Sequence, residues 1–429
     1  MNREFLKLAI PNIVSNISVP LLSSVDTILM GHLSQSHLAA LGVVSMIFVF
    51  LYGNFSFLRM GTTGITAQAY GSQNHKKKAN TLFRAIFLGL SLGVLILIFQ
   101  SPIFNISSYL MNIDNSYAIL VDQYFSIRIY TAPAVLISYA IMGWFFGMQN
   151  STYPLMITIF INIVNIVLSY YFVKIANLGV EGVAYGTLIA QYSGLILSIF
   201  LLLRYKTTIK KAKLKDIFHY HQLLDFIHVN KNIFIRTLSL TFVLAFFYSQ
   251  SAKDSQETLA IMILLLQFLI WFSFSIDGIA YATESLVGKY YGAKNWTKFY
   301  KAIRYSFYWS LGFTLLYMIL YYKGAKELLE LYTNQTNLID KSIEFLPWIV
   351  LMPIISFGAF IWDGVFIGMT AVKSMRNSVL LSMVLFLTIF YTTKEYNFIY
   401  SLWISFLLFF VFRGLIQTFL FLKYKTKLR

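Results

Sequence analysis

The chain has 429 residues, of which 58% are hydrophobic and only 12% are charged, and its formal net charge is +17 at pH 7. Soluble proteins carry about 25% charged residues, so this composition excludes an ordinary soluble domain. Continuous apolar stretches close to the roughly 20 residues needed to cross a bilayer recur along the sequence. A closed β-barrel would instead show alternating segments of about ten residues. We therefore predict an all-α polytopic membrane protein.

Twelve apolar stretches divide, in chain order, into two sets of six. Between the sets, residues 204–230 are basic and broken by polar residues, which indicates a cytoplasmic linker. We therefore predict a first six-helix lobe at 1–203 and a second at 231–429. The predicted spans are residues 8–30, 40–68, 81–104, 121–147, 154–176 and 179–203 in the first lobe and 231–250, 257–288, 300–322, 343–368, 376–393 and 397–422 in the second.

The basic residues are distributed unevenly between the two sides of this arrangement. With both termini on one side, the loops and span ends of that side carry 24 of the 34 Lys and Arg residues, those of the opposite side carry 6, and the remaining 4 lie deeper in spans. Because cytoplasmic loops are enriched in Lys and Arg, we predict that both termini are cytoplasmic, in a plasma membrane of the bacterial inner-membrane type. The positive charge is then a topology signal, and we expect no nucleic-acid partner.

Two short patterns recur at one spacing and indicate an internal duplication. Gly71 ends the pattern QAYG and Gly292 ends KYYG, and these glycines are 221 positions apart. Gly147 and Gly368, each followed by Met, have the same separation. An even number of spans in each half gives both halves the same orientation. We therefore expect two six-helix lobes related by a pseudo-twofold axis along the membrane normal.

Among the ionisable residues within predicted spans, we take eight as intramembrane candidates, because a charge inside the membrane costs roughly 2.5–3.5 kcal/mol on translocon-based scales. Asp277 and Glu284 are seven residues apart, so two helical turns bring both carboxylates to one face of the eighth span. They either form a structural ion pair, with Arg236 as the partner, or line an ion- or substrate-binding face. The eight residues are Asp26, Arg59, Arg128, Arg236, Asp277, Glu284, Asp363 and Arg413.

Uncharged polar residues in the fifth and sixth spans form a second candidate set. Asn165 and Thr187 either contribute to a site or bond a neighbouring helix, as most intramembrane amides and hydroxyls do. A carboxylate in a low-dielectric cavity can hold a proton near neutral pH, whereas an ionised carboxylate among hydroxyls and carbonyls can bind sodium. The residue types leave proton and sodium coupling open, and any sodium ion would use the same acids.

The sequence lacks the motifs of a membrane enzyme. It has no cysteine, no HExxH or GxSxG pattern and no glycine-rich nucleotide loop, and no histidine falls in a predicted span. We therefore expect no enzymatic activity and no cofactor, with energy taken from a proton or sodium gradient. A receptor or scaffold would not require paired acids inside the membrane.

Five stretches together resemble the MATE family of multidrug and toxic-compound extrusion transporters, and within it the DinF-like branch. The resemblance covers nearly the whole chain, and the stretches are specific as a set. They are residues 11–33 (PNIVSNISVPLLSSVDTILMGHL), 57–71 (FLRMGTTGITAQAYG), 143–150 (GWFFGMQN), 276–288 (IDGIAYATESLVG) and 362–378 (WDGVFIGMTAVKSMRNS).

This resemblance implies two lobes facing a central cleft and proton- or sodium-driven export of amphipathic, often cationic compounds. It also implies that Asp26 is the first-helix aspartate of the first-lobe site, with Asn165 and Thr187 as its polar positions. Ser169 departs from the pattern, because the family often has an aspartate after the run NIVL and serine carries no proton at neutral pH. Coupling then depends on Asp26 alone or has moved to the second lobe. The second-lobe residues that we expect to form a site are Asp277, Glu284 and Asp363, with Arg236 as partner of one acid.

We therefore predict an antiporter that works by alternating access on small amphipathic substrates, as a monomer among membrane lipids. The alternative is a flippase of lipid-linked or amphipathic lipid substrates, which would require several cationic side chains in the cleft. Four acids against four arginines inside the predicted spans do not distinguish the two.

Overall fold

The computed structural model describes residues 1–31 and 33–428, and within them the side chains of all but residues 20–24, 214, 427 and 428. The described part of the chain is almost entirely helical and contains no β-strand. Its helices are α1 Asn2–Gly31, α2 Gln35–Asn54, α3 Phe57–Gly71, α4 His75–Ile98, α5 Gln100–Leu110, α6 Ala118–Arg128, α7 Ala132–Gly147, α8 Thr152–Tyr170, α9 Gly179–Leu202, α10 Lys206–Ile209, α11 Leu214–Ile217, α12 Tyr220–Asp254, α13 Gln256–Gly292, α14 Trp296–Glu330, α15 Thr336–Glu344, α16 Leu346–Gly368, α17 Val372–Thr393 and α18 Phe398–Leu428.

Helices lie at all twelve predicted spans, which confirms the all-α membrane architecture. Ten helical stretches of the described chain are long and apolar enough to cross a membrane. The first and ninth predicted spans correspond to α1 and α14, helices of 30 and 35 residues that carry more polar side chains. Several predicted spans contain two consecutive helices, such as α2 with α3 and α6 with α7, which a single apolar run does not reveal.

The segment between the two sets of spans is more helical than its composition indicates. α12 begins at Tyr220, whereas the apolar pattern predicts a seventh span from residue 231. Hydropathy marks where a helix becomes apolar, not where it begins. Residues 220–230 contain neither Gly nor Pro, so nothing in them interrupts a helix. The second half of the predicted linker is therefore the polar first part of a membrane helix.

The helices form two compact units. The first comprises residues 14–230, and the second comprises residues 1–13 together with the chain from 231 onward. We call these the first and the second lobe below. Residues 204–230, predicted as a linker, group with the first lobe, and residues 1–13 group with the second. The second lobe has a large aromatic core, which includes Phe247, Phe386, Phe390, Trp403 and Phe406.

Backbone features recur at the same spacing of 221 residues as the sequence motifs. Gln73 and Lys294 adopt positive φ angles of 55° and 53°, just after α3 and α13 end. Gln149 and Thr370 adopt φ angles of 63° and 54°, just after α7 and α16 end. Positive φ is uncommon outside glycine, so two pairs of non-glycine residues at one spacing are strong support for the duplication.

One helix–helix contact is built in the same way in both lobes. α7 lies so close to α3 that a Cβ atom at Gly143 would collide with the backbone of Arg59. α16 lies so close to α13 that a Cβ atom at Gly364 would be 2.6 Å from the carbonyl oxygen of Ala280. Gly143 and Gly364 are 221 residues apart, and so are Arg59 and Ala280. Only glycine permits the helices to approach so closely. The duplication therefore extends to helix packing.

Candidate functional site

Asp26 lies near the end of α1, half-buried in the first lobe. Its carboxylate interacts with the charge of Arg128 on α6 and lies beside the hydroxyl group of Ser169 on α8. Arg128 is held in place, because it donates hydrogen bonds to the hydroxyl oxygens of Tyr124 at 2.8 Å and Ser45 at 3.2 Å. Oδ1 of Asp26 is buried and has no hydrogen-bond partner among the described residues. The carboxylate is therefore close to a positive charge without being fully hydrogen-bonded.

Asn165 and Thr187 bind each other and link α8 to α9, since Nδ2 of Asn165 donates to Oγ1 of Thr187 at 2.9 Å. Ser169 follows Asn165 by one turn and lies on the same face of α8. Asn165 Oδ1 and Ser169 Oγ are both buried and lack a hydrogen-bond partner within the described chain. The first-lobe candidates thus lie in one region, and the residue beside Asp26 is Ser169, at the position where the family often has an acid.

Two other intramembrane residues of the first lobe make packing contacts. Nδ2 of Asn162 donates to the carbonyl oxygen and the hydroxyl of Ser18, at 3.3 and 3.2 Å, and so ties α8 to α1. The guanidinium of Arg59 lies 5.7 Å from the ring centroid of Phe146, within the range of a cation–π interaction. These contacts fit the structural roles that most intramembrane polar groups have.

Asp363 of α16 is the centre of a buried charged cluster in the second lobe. Its Oδ2 accepts hydrogen bonds from Arg236 of α12 and Arg413 of α18, and its Oδ1 accepts one from Nε2 of Gln417 at 2.7 Å. The three charged side chains are at most 8% exposed. One carboxylate therefore joins three helices with both of its oxygens occupied, and Asp363 is the acid that pairs with Arg236.

Asp277 and Glu284 lie on α13, which packs against α16. The charge of Asp277 acts on Arg413, the arginine that donates a hydrogen bond to Asp363. Glu284 is 1% exposed and lies two turns further along α13. Its carbonyl oxygen would be 2.8 Å from a Cβ atom at Gly368, so the two helix backbones nearly touch there. Asp277 thus lies within electrostatic range of the arginine that binds Asp363, and Glu284 is buried in the same helix pair.

On the sequence alone, Arg413 has no assigned role and Gln417 is not among the site candidates. A signal was available, because the two residues are one turn apart on the last span and so form a polar face inside the membrane. Among the described residues, no group of three or more His, Asp or Glu side chains is arranged to hold a metal ion.

The profile of the MatE family matches two segments of this chain, residues 11–171 and 233–392. The chain belongs to the MatE family. It is 31% identical over 414 residues to the DNA damage-inducible protein F of Escherichia coli, which covers 95% of this chain and 89% of that protein. It is 22% identical over 355 residues to a probable multidrug resistance protein NorM of Thermotoga maritima, with 80% and 74% of the two chains covered.

A solved structure of a multidrug resistance MATE family transporter of the MOP superfamily, described as outward-facing, has the same fold. Its TM-score is 0.88 at 19% sequence identity, and the match covers 100% of this chain and 96% of that chain. This MatE-family protein is therefore an integral membrane transporter of the DinF-like branch, with twelve transmembrane helices in two lobes.

Proposed function

We propose that this MatE-family protein is an antiporter that exports amphipathic organic cations in exchange for protons or sodium ions. Relatives named for multidrug resistance support the export of organic compounds, and the amphipathic, cationic character of the substrates is what the family resemblance implies. The Lys and Arg distribution favours cytoplasmic termini and a bacterial inner membrane. The protein would act as a monomer whose partners are its substrates and the surrounding lipids.

The observation that carries this proposal is a set of buried, unsatisfied oxygen atoms in the first lobe. Asp26 Oδ1, Asn165 Oδ1 and Ser169 Oγ have no hydrogen-bond partner among the described residues. Each such atom costs roughly 1–3 kcal/mol, which is a reason to look for a function beyond stability. A proton on Asp26 would supply a donor for a neighbouring oxygen, and a sodium ion would be a shared ligand for several of them.

Within this site we assign each residue a role. Asp26 carries the proton or contributes the negative charge that binds sodium, and Arg128 limits how strongly the carboxylate holds either ion. Asn165 and Ser169 offer neutral oxygens, and Thr187 positions the amide of Asn165 through their hydrogen bond. Because Ser169 replaces an acid, the first lobe would move one charge per cycle, at Asp26.

In the second lobe we propose a division of roles among the three acids. Asp363 is saturated by Arg236, Arg413 and Gln417, so it would hold α12, α16 and α18 together rather than exchange an ion. Asp277 and Glu284, which lie on α13 where it packs against α16, would be the acids that meet a cationic substrate or a coupling ion. The sequence alone leaves open which acid pairs with Arg236, and the hydrogen bonds to Asp363 support this division.

Purified protein in liposomes, with proton and sodium gradients imposed separately, tests the proposal. We expect export of ethidium to follow one of the two gradients and to stop when that gradient is dissipated. Asn162→Ala is a matched control on α8, because it loses only the bonds to Ser18 and should keep gradient dependence. Gradient-independent movement of a fluorescent phospholipid, without ethidium transport, would instead support the flippase alternative.

A further inference from the structure

A cavity of about 240 Å³ lies in the second lobe between α13 and α14. α14 is interrupted at Gly324, where φ is −117° and ψ is 15°, and the lining residues come from both sides of this break. Three leucines and five aromatic residues line the cavity, and none of the lining side chains is charged. The aromatic residues are Phe268, Trp271, Tyr317, Tyr321 and Tyr332.

The polar ends of these aromatic side chains are already engaged inside the lobe. Nε1 of Trp271 donates to the hydroxyl oxygen of Tyr332 at 2.6 Å, and the hydroxyl of Tyr321 donates to the carbonyl oxygen of Phe268 at 2.6 Å. The hydroxyl of Tyr317 is hydrogen-bonded to that of a serine, Ser275, at 2.7 Å. A molecule in the cavity therefore meets ring surfaces and leucine side chains rather than hydrogen-bonding groups.

The charged residues next to the cavity on α14 are not evenly placed around the helix. Helical spacing puts Glu327 beside the face that carries Leu328 and Leu331, and puts Lys326 and Glu330 on the opposite face. The side chain of Glu327 is exposed, and no ion pair joins it to another described residue. Of the three charged residues compared, Glu327 therefore has the helical position nearest the lining face.

We propose that this cavity is a binding site for small quaternary ammonium cations with apolar substituents. Ring faces attract a cation that lies within about 6 Å of their centres. A primary ammonium would lose its hydrogen bonds in such a cavity, whereas a quaternary one has none to lose. The cavity is smaller than the roughly 300–1,000 Å³ of drug-sized sites, so the ligand is small.

The inference rests on the proposed function for one point only, that cations are the exported class. The charge distribution in the loops assigns residues 323–341 to the exterior, so the site would hold a cation on the side to which it is exported. A free cation and the headgroup of a choline lipid share the chemistry that this site recognises.

The test uses the full-length protein in nanodiscs of phosphatidylglycerol, titrated with benzyltrimethylammonium. We expect Trp271→Leu to weaken binding about tenfold and Trp271→Phe to weaken it much less, because Phe keeps a ring face. Trp309→Leu is the matched control, since Trp309 lies on α14 and donates its indole N–H to Asn2 instead. Repeating the titration in phosphatidylcholine separates the sources, because a lipid headgroup in the site would compete with the free cation.

Two results would overturn the proposal. One is equal binding of neopentylbenzene, the uncharged carbon analogue, which would make the cavity a site for acyl chains. The other is unchanged binding in Trp271→Leu. The transport function is tested independently, because Asp26→Asn should lose gradient coupling and still bind benzyltrimethylammonium in this cavity.

Discussion

The two lobes share a helix scaffold but place different chemistry on it. Counting 221 residues onward from Asp26 leads to Phe247 in the second lobe. The same count leads from Asn165 to Phe386 and from Ser169 to Phe390. All three phenylalanines have an exposed fraction of 0%. The polar site of the first lobe thus corresponds to buried aromatic core in the second.

The equivalence of Asp26 and Phe247 rests on a capping residue that follows each of them. Ser34 and Ser255, again 221 apart, precede α2 and α13 with extended backbones at φ −165° and −164°. Each serine side chain accepts a hydrogen bond from the backbone N–H three residues later. Both caps lie eight residues after the compared positions. Asp26 and Phe247 are therefore at the same distance in sequence from an equivalent helix start.

The second lobe shows that this scaffold does not require a polar site at these positions. Phe246 packs its ring against Phe386 and Phe390, with centroid distances of 5.4 and 5.3 Å. Such packing stabilises a helix bundle without any unsatisfied oxygen. The first lobe gives up this stabilisation at Asp26 and Ser169, which is why we assign that site to function rather than to the fold.

The largest expected effect is on the charged cluster of the second lobe. Arg413→Ala removes one of two arginines from a buried carboxylate, and breaking a buried ion pair typically costs roughly 3–5 kcal/mol. We expect a clearly lower melting temperature in detergent. Tyr192→Ala is the control at the equivalent position of the first lobe, where the tyrosine is 39% exposed. Unchanged melting of Arg413→Ala would contradict a structural role for Asp363.

The next effect concerns coupling in the first lobe. Asp26→Asn keeps the size of the side chain but removes its charge and its proton, and we expect gradient-driven export to fall about a hundredfold. The melting temperature should change no more than it does for a typical surface substitution. Full gradient dependence in this variant would remove Asp26 from the coupling mechanism.

Phe247→Asn makes the converse change at the equivalent position. Here we expect loss of stability, because a polar amide replaces a buried ring, while the transport that remains should still follow the ion gradient. The pair of variants separates a site residue from a core residue on one scaffold.

The architecture followed from the sequence, because apolar length alone marks a span, and an acid inside a span is visible without a structure. The contacts of Arg413 did not follow, since its partner Asp363 is 50 residues away on another helix and only packing brings them together. The start of α12 at Tyr220 was missed because helix formation does not require apolar residues. The aromatic cavity was hidden because 40 Phe and 29 Tyr leave no ring distinctive.

A smaller effect tests the shared scaffold itself. Gly364→Ala places a methyl group against the backbone of Ala280, and overpacking of this kind costs roughly 1–3 kcal/mol. Gly143→Ala should have a similar effect in the first lobe. Gly358→Ala on α16 is the control, because nothing lies within 4 Å of a Cβ atom there. The melting temperatures of the three variants are compared with one another. Equal values would mean that the close approach of the two helices is not needed for stability.

The smallest expected effect concerns the first turns of α1, which belong to the second lobe. Glu4, which precedes the first predicted span, accepts hydrogen bonds from Nζ of Lys289 at 2.5 Å and from the hydroxyl of Tyr290 at 2.6 Å. Burial alone would raise the pKa of Glu4, but these bonds and the charge of Lys289 lower it below its ordinary value. The resulting stabilisation is present above the ordinary pKa of about 4.3 and is lost as the pH falls through the lowered pKa.

At pH 7 we therefore expect Glu4→Gln to speed amide hydrogen exchange in the first turns of α1. The loss of local stability should be less than about 1 kcal/mol, because the ion pair is partly exposed. Asp340→Asn, which neutralises an exposed carboxylate elsewhere in the same lobe, should leave this exchange unchanged. The difference between Glu4→Gln and the unaltered protein should shrink when the pH is lowered below the pKa of Glu4, because both side chains are then neutral. A difference that persists there would mean that the substitution acts through packing rather than through the ion pair with Lys289.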